Sequence, residues 1–556
     1  MFTLILSLAI VIPILKTFTP IFTADTVIIA YGLTPVDVCQ ESPELWDIIK
    51  KCYILFLLST ALILSNIIYI KLSLFKKNKS DKKPSELEFN GINLTIGIDK
   101  TTGQTIKIKE KGLYQNFLIT GTIGSGKTSS AMYPFTRQLI EYEAENPEKK
   151  LAMLILDVKG NYFNQVKKYS NDYNRSKDII VIELGNSVKY NPLDKPHLKP
   201  QVLANRLKTI LLLFSENNSE SYWLDEAEKV ITECIKLCRI YNDGYVNFLE
   251  LHKLITLPNY YNEKISLLRN LFISNKLTTH QIYDLNTSLE FFEKEFKALD
   301  DRTLSILKSE ITRITNIFVS DYDILNTFCP SKNDINFYGF EEIIKKGKIV
   351  VLNMNIAEYQ NLSKIMAAYL KLDFQAEVMK NLASGNIPRT TAFICDEYSE
   401  YVTKTDADFF SQSREAKCIN IVSTQSYSSI RNTINNEFST NVIIQNLVNK
   451  IWFRTDDIRT IESAQKQLGK EDKEKTSTSI SENAKETRYN FLTNSLDSEN
   501  SNISESINTY TQFDFIYDTH FFTQELETFT AVTFLSDGDK ILKPQKLQLL
   551  PYFLNL

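Results

Sequence analysis

The sequence predicts an α/β protein: a parallel sheet with helices on both faces, split by an all-helical insertion and preceded by apolar segments at the N-terminus. Three observations lead there. Short β-branched runs alternate with helical stretches up to about residue 198 and again from 347, which is how strand-helix-strand crossovers read. Between roughly 199 and 330 strand-like runs are few, and apolar residues recur every three or four positions in "QVLANRLKTILLLF", "YWLDEAEKVITECIKLCRIY" and "DDRTLSILKSEITRITNIF". Finally, "GTIGSGKTSS", residues 121–130, lies between the apolar run "NFLIT" and the helical stretch "SAMYPFTRQLIEYEA".

A chain of 556 residues is too long for one compact core, so several domains are expected. The N-terminus reads as a membrane anchor. Residues 52–70, "CYILFLLSTALILSNIIYI", carry no charge and as a helix would span about 30 Å, the thickness of a bilayer's hydrocarbon core. The first apolar stretch, about 2–23, is interrupted by Pro13, Lys16 and Pro20 and has no basic start, which favours a first membrane helix over a signal peptide. The basic run "KKNKSDKK" at 76–83 marks the cytoplasmic side. The loop 25–50 would then face outward, and everything after about 76 would lie in the cytoplasm, in a multi-pass arrangement.

Strands follow in order: "NLTIGID", "TIKIKEK" and "NFLIT", then "LAMLILDVKG" and "DIIVIEL". After the insertion come "GKIVVLNMN", "TTAFICDEYSEYV", "CINIVSTQS" and "NKIWFRT", and the tail from "LETFTAVTFL" reads as a closing hairpin of the same sheet. The polar stretch 471–508 reads as a mobile surface excursion. The expected division is 1–75 as anchor, 76–198 with 331–556 as motor, and 199–330 as the all-α insertion. Seven cysteines without a C-x-x-C pair exclude a disulfide framework; Cys234 and Cys238 read as buried small apolar residues of a helix. The net charge of −4 argues against a nucleic-acid coat over the whole surface. Lys107, Lys109 and Lys111 alternate along one expected strand, which reads as a solvated edge.

The chemistry rests on a few residues. Gly121, Thr122, Ile123, Gly124, Ser125, Gly126, Lys127 and Thr128 fit G-x-x-x-x-G-K-[ST], whose backbone N–H groups cradle phosphates ahead of a helix. Lys127 would hold the β- and γ-phosphates of ATP, and Thr128 would ligate Mg²⁺. Hydrolysis also needs acids at a strand end. Asp157 closes one strand, but only "ICDEY" offers a pair, with Asp396 as the acid on the Mg²⁺ side and Glu397 as general base for water. Gln425, after "CINIVST", is placed to sense the γ-phosphate. Arg414 in "FFSQSREAK" could serve a neighbouring subunit's nucleotide, although spacing alone reads it as a solvated arginine.

"GTIGSGKTSS", "LDVKGNYF", "YNPL", "YWLDEAEKVI", "ICDEY", "SREAKCINIVSTQS" and "NKIWFRT" come in the order of the motifs of type IV secretion coupling proteins, the TraG/TraD-like group, which the chain resembles from about residue 86 onward. That resemblance implies a RecA-like P-loop motor with an inserted all-α domain and two N-terminal transmembrane helices. It implies a hexameric ATPase, anchored in the bacterial inner membrane, that receives a relaxase on single-stranded DNA and hands it to the secretion channel proteins. It also assigns Arg414 a role between subunits. Val158, Asn161 and Tyr398 depart from the group's usual residues without removing a catalytic group. A coupling receptor for protein secretion, a secretion-assembly ATPase and a septal-type DNA translocase remain as alternatives.

Overall fold

The computed structural model describes residues 91–556 other than 215–220, 384–387, 484–487, 498–501 and 555–556, together with nine scattered positions between 44 and 60. It divides into two units, Met1–Asn90 and Gly91–Leu556. In the first, the nine described positions are helical. The expected membrane helices at about 2–23 and 52–73, the loop between them and the basic run after them lie almost entirely outside the described residues. Among the described residues no helix is long and apolar enough to cross a membrane.

The second unit is built on strands β1 (Asn93–Asp99), β2 (Thr105–Lys109), β3 (Phe117–Thr120), β4 (Ala152–Leu156), β5 (Ile179–Ile182), β6 (Ile349–Leu352), β7 (Thr391–Cys395), β8 (Cys418–Thr424) and β9 (Asn449–Trp452). Later in the chain come β10 (Lys470–Asn483), β11 (Arg488–Asn490), β12 (Ser495–Asp497), β13 (Asn502–Phe515), β14 (Thr530–Phe534) and β15 (Gln545–Gln548). Eleven of them form one sheet in the order β2-β1-β15-β14-β9-β3-β8-β7-β4-β6-β5. From β9 to β5 all neighbours are parallel; β14, β15, β1 and β2 continue that edge antiparallel. The sheet is therefore mixed, not purely parallel, because the closing hairpin and the first two strands need no crossover helix and can pair directly.

The strands β3, β4, β6, β7, β8 and β9 are buried at every position and mostly apolar, because both of their faces are covered. Ala152, Leu154 and Leu156 of β4 face one core, while Met153 and Ile155 face the other, formed with the helices Tyr133–Glu141 and Tyr162–Asp172. No strand of the sheets lies between Ile182 and Ile349 among the described residues. That stretch folds as helices from Pro200–Leu211 to Phe340–Lys346. Their starts carry side-chain caps: Asn247 accepts from Glu250 N–H, Asp300 from Thr303 N–H, and Thr278 and Gln281 form a reciprocal capping box, each cap satisfying helix-end donors. Phe248 and Phe318 stack at 3.9 Å, and Cys234 and Cys238 are buried among these helices.

The polar excursion expected at 471–508 is replaced by pairing. β10 and β13 form a separate two-stranded antiparallel ribbon, with Lys470 opposite Phe515 and Asn483 opposite Asn502. Composition misled here because ladder hydrogen bonds and cross-strand pairs do not require apolar residues. At the sheet's edge, Lys107 and Lys109 of β2 are exposed around the buried Ile108. Lys111 has left the strand for a short helical turn and pairs with Asp539. Charged edge strands discourage pairing between sheets.

Candidate nucleotide site

β3 lies in the middle of the sheet between β8 and β9, so the loop after it is gripped from both sides. Gly121 N–H donates to Gln425 O at 3.2 Å, and Thr122 N–H donates to Arg454 O at 2.8 Å. These two carbonyls follow the ends of β8 and β9, and they fix the loop's entry at the carboxyl edge of the sheet, where ligands of such sheets bind. Gly126 adopts a left-handed φ of 100°, and a Cβ there would stand 2.5 Å from the ring of Phe529, so only glycine fits. The helix that follows opens as a π-turn over Lys127–Met132. Pro134, at the start of the α-helical part, has no N–H for the carbonyl four residues earlier, which favours the wider turn.

Lys127 is buried, and its Nζ donates to Gly121 O at 2.5 Å and Thr122 O at 3.2 Å. The ammonium is thus aimed into the concavity of the loop. Burial lowers its pKa, while Glu397 and Asp396 oppose that shift. Thr128 Oγ1 donates to Asp396 Oδ2 at 2.9 Å, which brings together two oxygen donors of the kind Mg²⁺ takes. The hydroxyl and carboxylate fit such an ion, which would neutralise phosphate charge once bound with the nucleotide.

Asp396 is the first residue past β7, and its N–H is held by Leu156 O of β4 at 3.0 Å. Ser423 Oγ, from β8, donates to its other carboxylate oxygen. Glu397 comes next, in a left-handed backbone conformation with φ 52° and ψ 49°. A glutamate there is strained. Burial raises the Glu397 pKa, Asp396 adds to this, and Lys127, Lys159 and the Gln425 side chain act against it. Lys159 Nζ lies 3.8 Å from Glu397 Oε1.

Asp157, the acid at the end of β4, has a different occupation. Its carboxylate accepts from the N–H groups of Lys159, Asn161 and Tyr162 at 3.1 Å each, closing the turn into the helix Tyr162–Asp172. Behind Glu397 the chain is tied down by a buried cluster. Asp406 accepts from Lys371 Nζ at 2.6 Å, Tyr398 OH at 2.6 Å, Gln375 Nε2 at 3.0 Å and Thr403 N–H at 3.0 Å. Lys371 also donates to Tyr401 O and Thr403 Oγ1.

The fold thus gathers the loop residues Gly121 to Thr128, Asp396, Glu397 and Gln425 at one edge. Arg414 is not among them. It is exposed in the turn before β8, so the seven residues of β8 separate it from Gln425 by roughly 20 Å at the usual strand rise. Ser423, Lys159, Arg454 and the Lys371–Asp406 pair were not singled out by sequence. Only Ser423 had a local signal, a hydroxyl within a buried strand one residue past the Cys395–Val422 pairing.

Residues 390–511 match the family model described as the TraM recognition site of TraD and TraG. This segment runs from β7 through β8 and β9 and into the ribbon. Over this segment the chain is TraG/TraD-like. Its fold matches that of TrwBdeltaN70, a bacterial conjugative coupling protein, in the unbound monoclinic form, with a TM-score of 0.52 at 11% identity over 82% of this chain and 88% of that one. Plasmid coupling protein TrwB in complex with the GTP analogue GDPNP matches with a TM-score of 0.51 at 11% identity over 82% and 89%. TrwB with ADP and Mg²⁺ matches at 0.50 and 11% identity over 79% and 86%. At that identity the coupling-protein likeness is one of fold, an α/β nucleotide-binding sheet with attached helices. No curated protein sequence matches the chain.

Proposed function

We propose that this chain is a membrane-anchored ATPase of type IV secretion that couples hydrolysis to transfer of DNA, a relaxase-bound single strand, into the secretion channel. The observation that carries this reading is the meeting of Thr128 with Asp396 beside Glu397 at the mouth of the phosphate loop. In the proposed reaction the loop N–H groups and Lys127 hold the triphosphate, and Thr128 and Asp396 hold Mg²⁺. Glu397 takes the proton of the attacking water, and Gln425 responds to the γ-phosphate. Carboxylates set side by side at a buried strand end serve this chemistry.

The proposed organisation keeps 1–75 as anchor, 76–198 with 331–556 as the RecA-like motor and 199–330 as the all-α reader of relaxase or effector. Arg414 is assigned to a neighbouring subunit of a homohexamer, a role supported by its exposure and its distance from its own loop. The cytoplasmic face of the inner membrane is the proposed location, with the channel proteins as partners. Protein cargo is the second reading, favoured by the acidic net charge and by Lys107 and Lys109 lying on a sheet edge.

Hydrolysis by the full chain, compared with Glu397→Gln and Lys127→Ala, tests the enzyme. A wild type no faster than either variant refutes it. Stimulation by single-stranded DNA at low salt, where phosphate contacts are strongest, tests the cargo. Its absence leaves protein as the better candidate.

A further inference from the structure

Phe529 is unusual in its backbone. It occupies the left-handed region at φ 64°, which is costly for a bulky side chain. Three hydrogen bonds hold it there: Phe529 N–H donates to Ser125 O at 3.1 Å, and Phe529 O accepts from Leu549 N–H at 2.8 Å and from Gln548 Nε2 at 3.3 Å. The result is a ring lying against Gly126 of the phosphate loop. The tail after β15 returns to the same place. Tyr552 N–H donates to Ser129 O at 2.9 Å, and the Tyr552 ring packs edge-on against both Tyr133 and Phe553. Phe553 in turn meets Phe529 at 5.9 Å with the planes 70° apart, yet 57% of it remains exposed.

Two segments flanking the β14–β15 hairpin therefore place adjoining aromatic rings beside the loop. They stand on the side of Gly126 and Ser129. With Lys127 holding the β- and γ-phosphates and Thr128 on the Mg²⁺ side, the α-phosphate, ribose and base leave the loop past these residues. An exposed ring at that point offers a π-face, on which a base gains stacking energy whatever its identity.

We propose that Phe553, buttressed by Phe529, is the platform on which the purine base of the bound nucleotide stacks. This rests on the nucleotide reading above. Phe529 supports the position by packing on Gly126, and Phe553 makes the contact.

Titration calorimetry on the full chain with Mg²⁺ tests it, using ATP and inorganic tripolyphosphate as separate ligands. Phe553→Ala is expected to weaken ATP about tenfold, the loss typical of one base stack, and to leave tripolyphosphate unchanged, since that ligand has no base. Phe553→Tyr should restore ATP binding. Equal weakening of both ligands, or of neither, overturns the platform. So does a Phe553→Ala variant with unchanged ATP affinity and an altered native mass, which would assign the ring to a contact between copies of the chain. If the wild type binds neither ligand, the nucleotide reading itself falls and the platform with it; if tripolyphosphate binds and Lys127→Ala abolishes it, that reading stands whatever Phe553 does.

Discussion

The pair of Lys371 and Asp406 is the place where one atom change should cost most. Both side chains are fully buried, 2.6 Å apart, and Asp406 collects three further donors, one of them Tyr398 OH. Asp406→Asn keeps the volume but leaves a buried ammonium without its anion. Breaking such a pair typically costs about 3–5 kcal/mol, against about 1 kcal/mol for an ordinary hydrogen bond. Hydrogen exchange of the full chain reads this locally, with no need for two-state unfolding. Protection of the amides in Tyr398–Gln412 and in the helix Ile356–Ala383 should fall roughly a hundred- to several-thousand-fold at about 1.4 kcal/mol per decade. The ribbon of β10 and β13 should be unchanged.

The loss also has a pH signature. Burial already holds the Lys371 pKa below its ordinary value, and Asp406 opposes that shift. Without Asp406 the folded pKa drops further. Between that value and about 10.4 the unfolded chain binds the proton that the folded chain has released, so the variant's stability rises with pH. Hydrolysis should fall as well, because Tyr398 directly follows Glu397. A drop in protection below tenfold would show that the pair is worth no more than a common hydrogen bond and refute the reasoning.

Two other outcomes follow from the site and the ribbon. In the proposed reaction Glu397 must be ionised to accept a proton, and burial together with Asp396 raises its pKa, so the acid limb of kcat/KM should lie above the ordinary glutamate value. Lys159→Met removes a cation that holds that pKa down and should move the limb further up, while Lys159→Arg should not; a limb that stays put or moves down contradicts the assignment. Excising 477–508 and joining Thr476 to Thr509, which face each other across the ribbon, through an Asn-Gly turn should leave ATP affinity within about twofold. Loss of nucleotide binding would show that the ribbon supports the motor.

Much of this was legible in the chain. Parallel strands buried on both faces read as near-continuous apolar runs, so "LAMLIL", "TAFIC" and "CINIV" declared themselves, and a phosphate loop is a local structure whose residues are contiguous. The ribbon was hidden because its strands are polar and partner residues such as Lys470 and Phe515 lie 45 positions apart. Glu397 was found as one of two adjacent acids, but its left-handed turn and the Lys371–Asp406 cluster behind it depend on a helix and a loop that sequence spacing does not relate. Arg414 and Gln425 flank the same strand in sequence, and only their opposite ends of β8 separate their roles.

By itself the sequence determined the apolar strands of the large sheet, the helices of the insertion and the contiguous Gly-rich loop, since these follow from periodicity and from residues within one turn of each other. The tertiary structure decided the order of strands, with β8 set between β3 and β7. That order lets Thr128 reach Asp396 across 268 residues and lets Ser423 hold the same carboxylate from the strand between. It also decided that the tail would return Phe553 to the loop. Such contacts depend on which chain segments the two cores force together, and no local pattern encodes that.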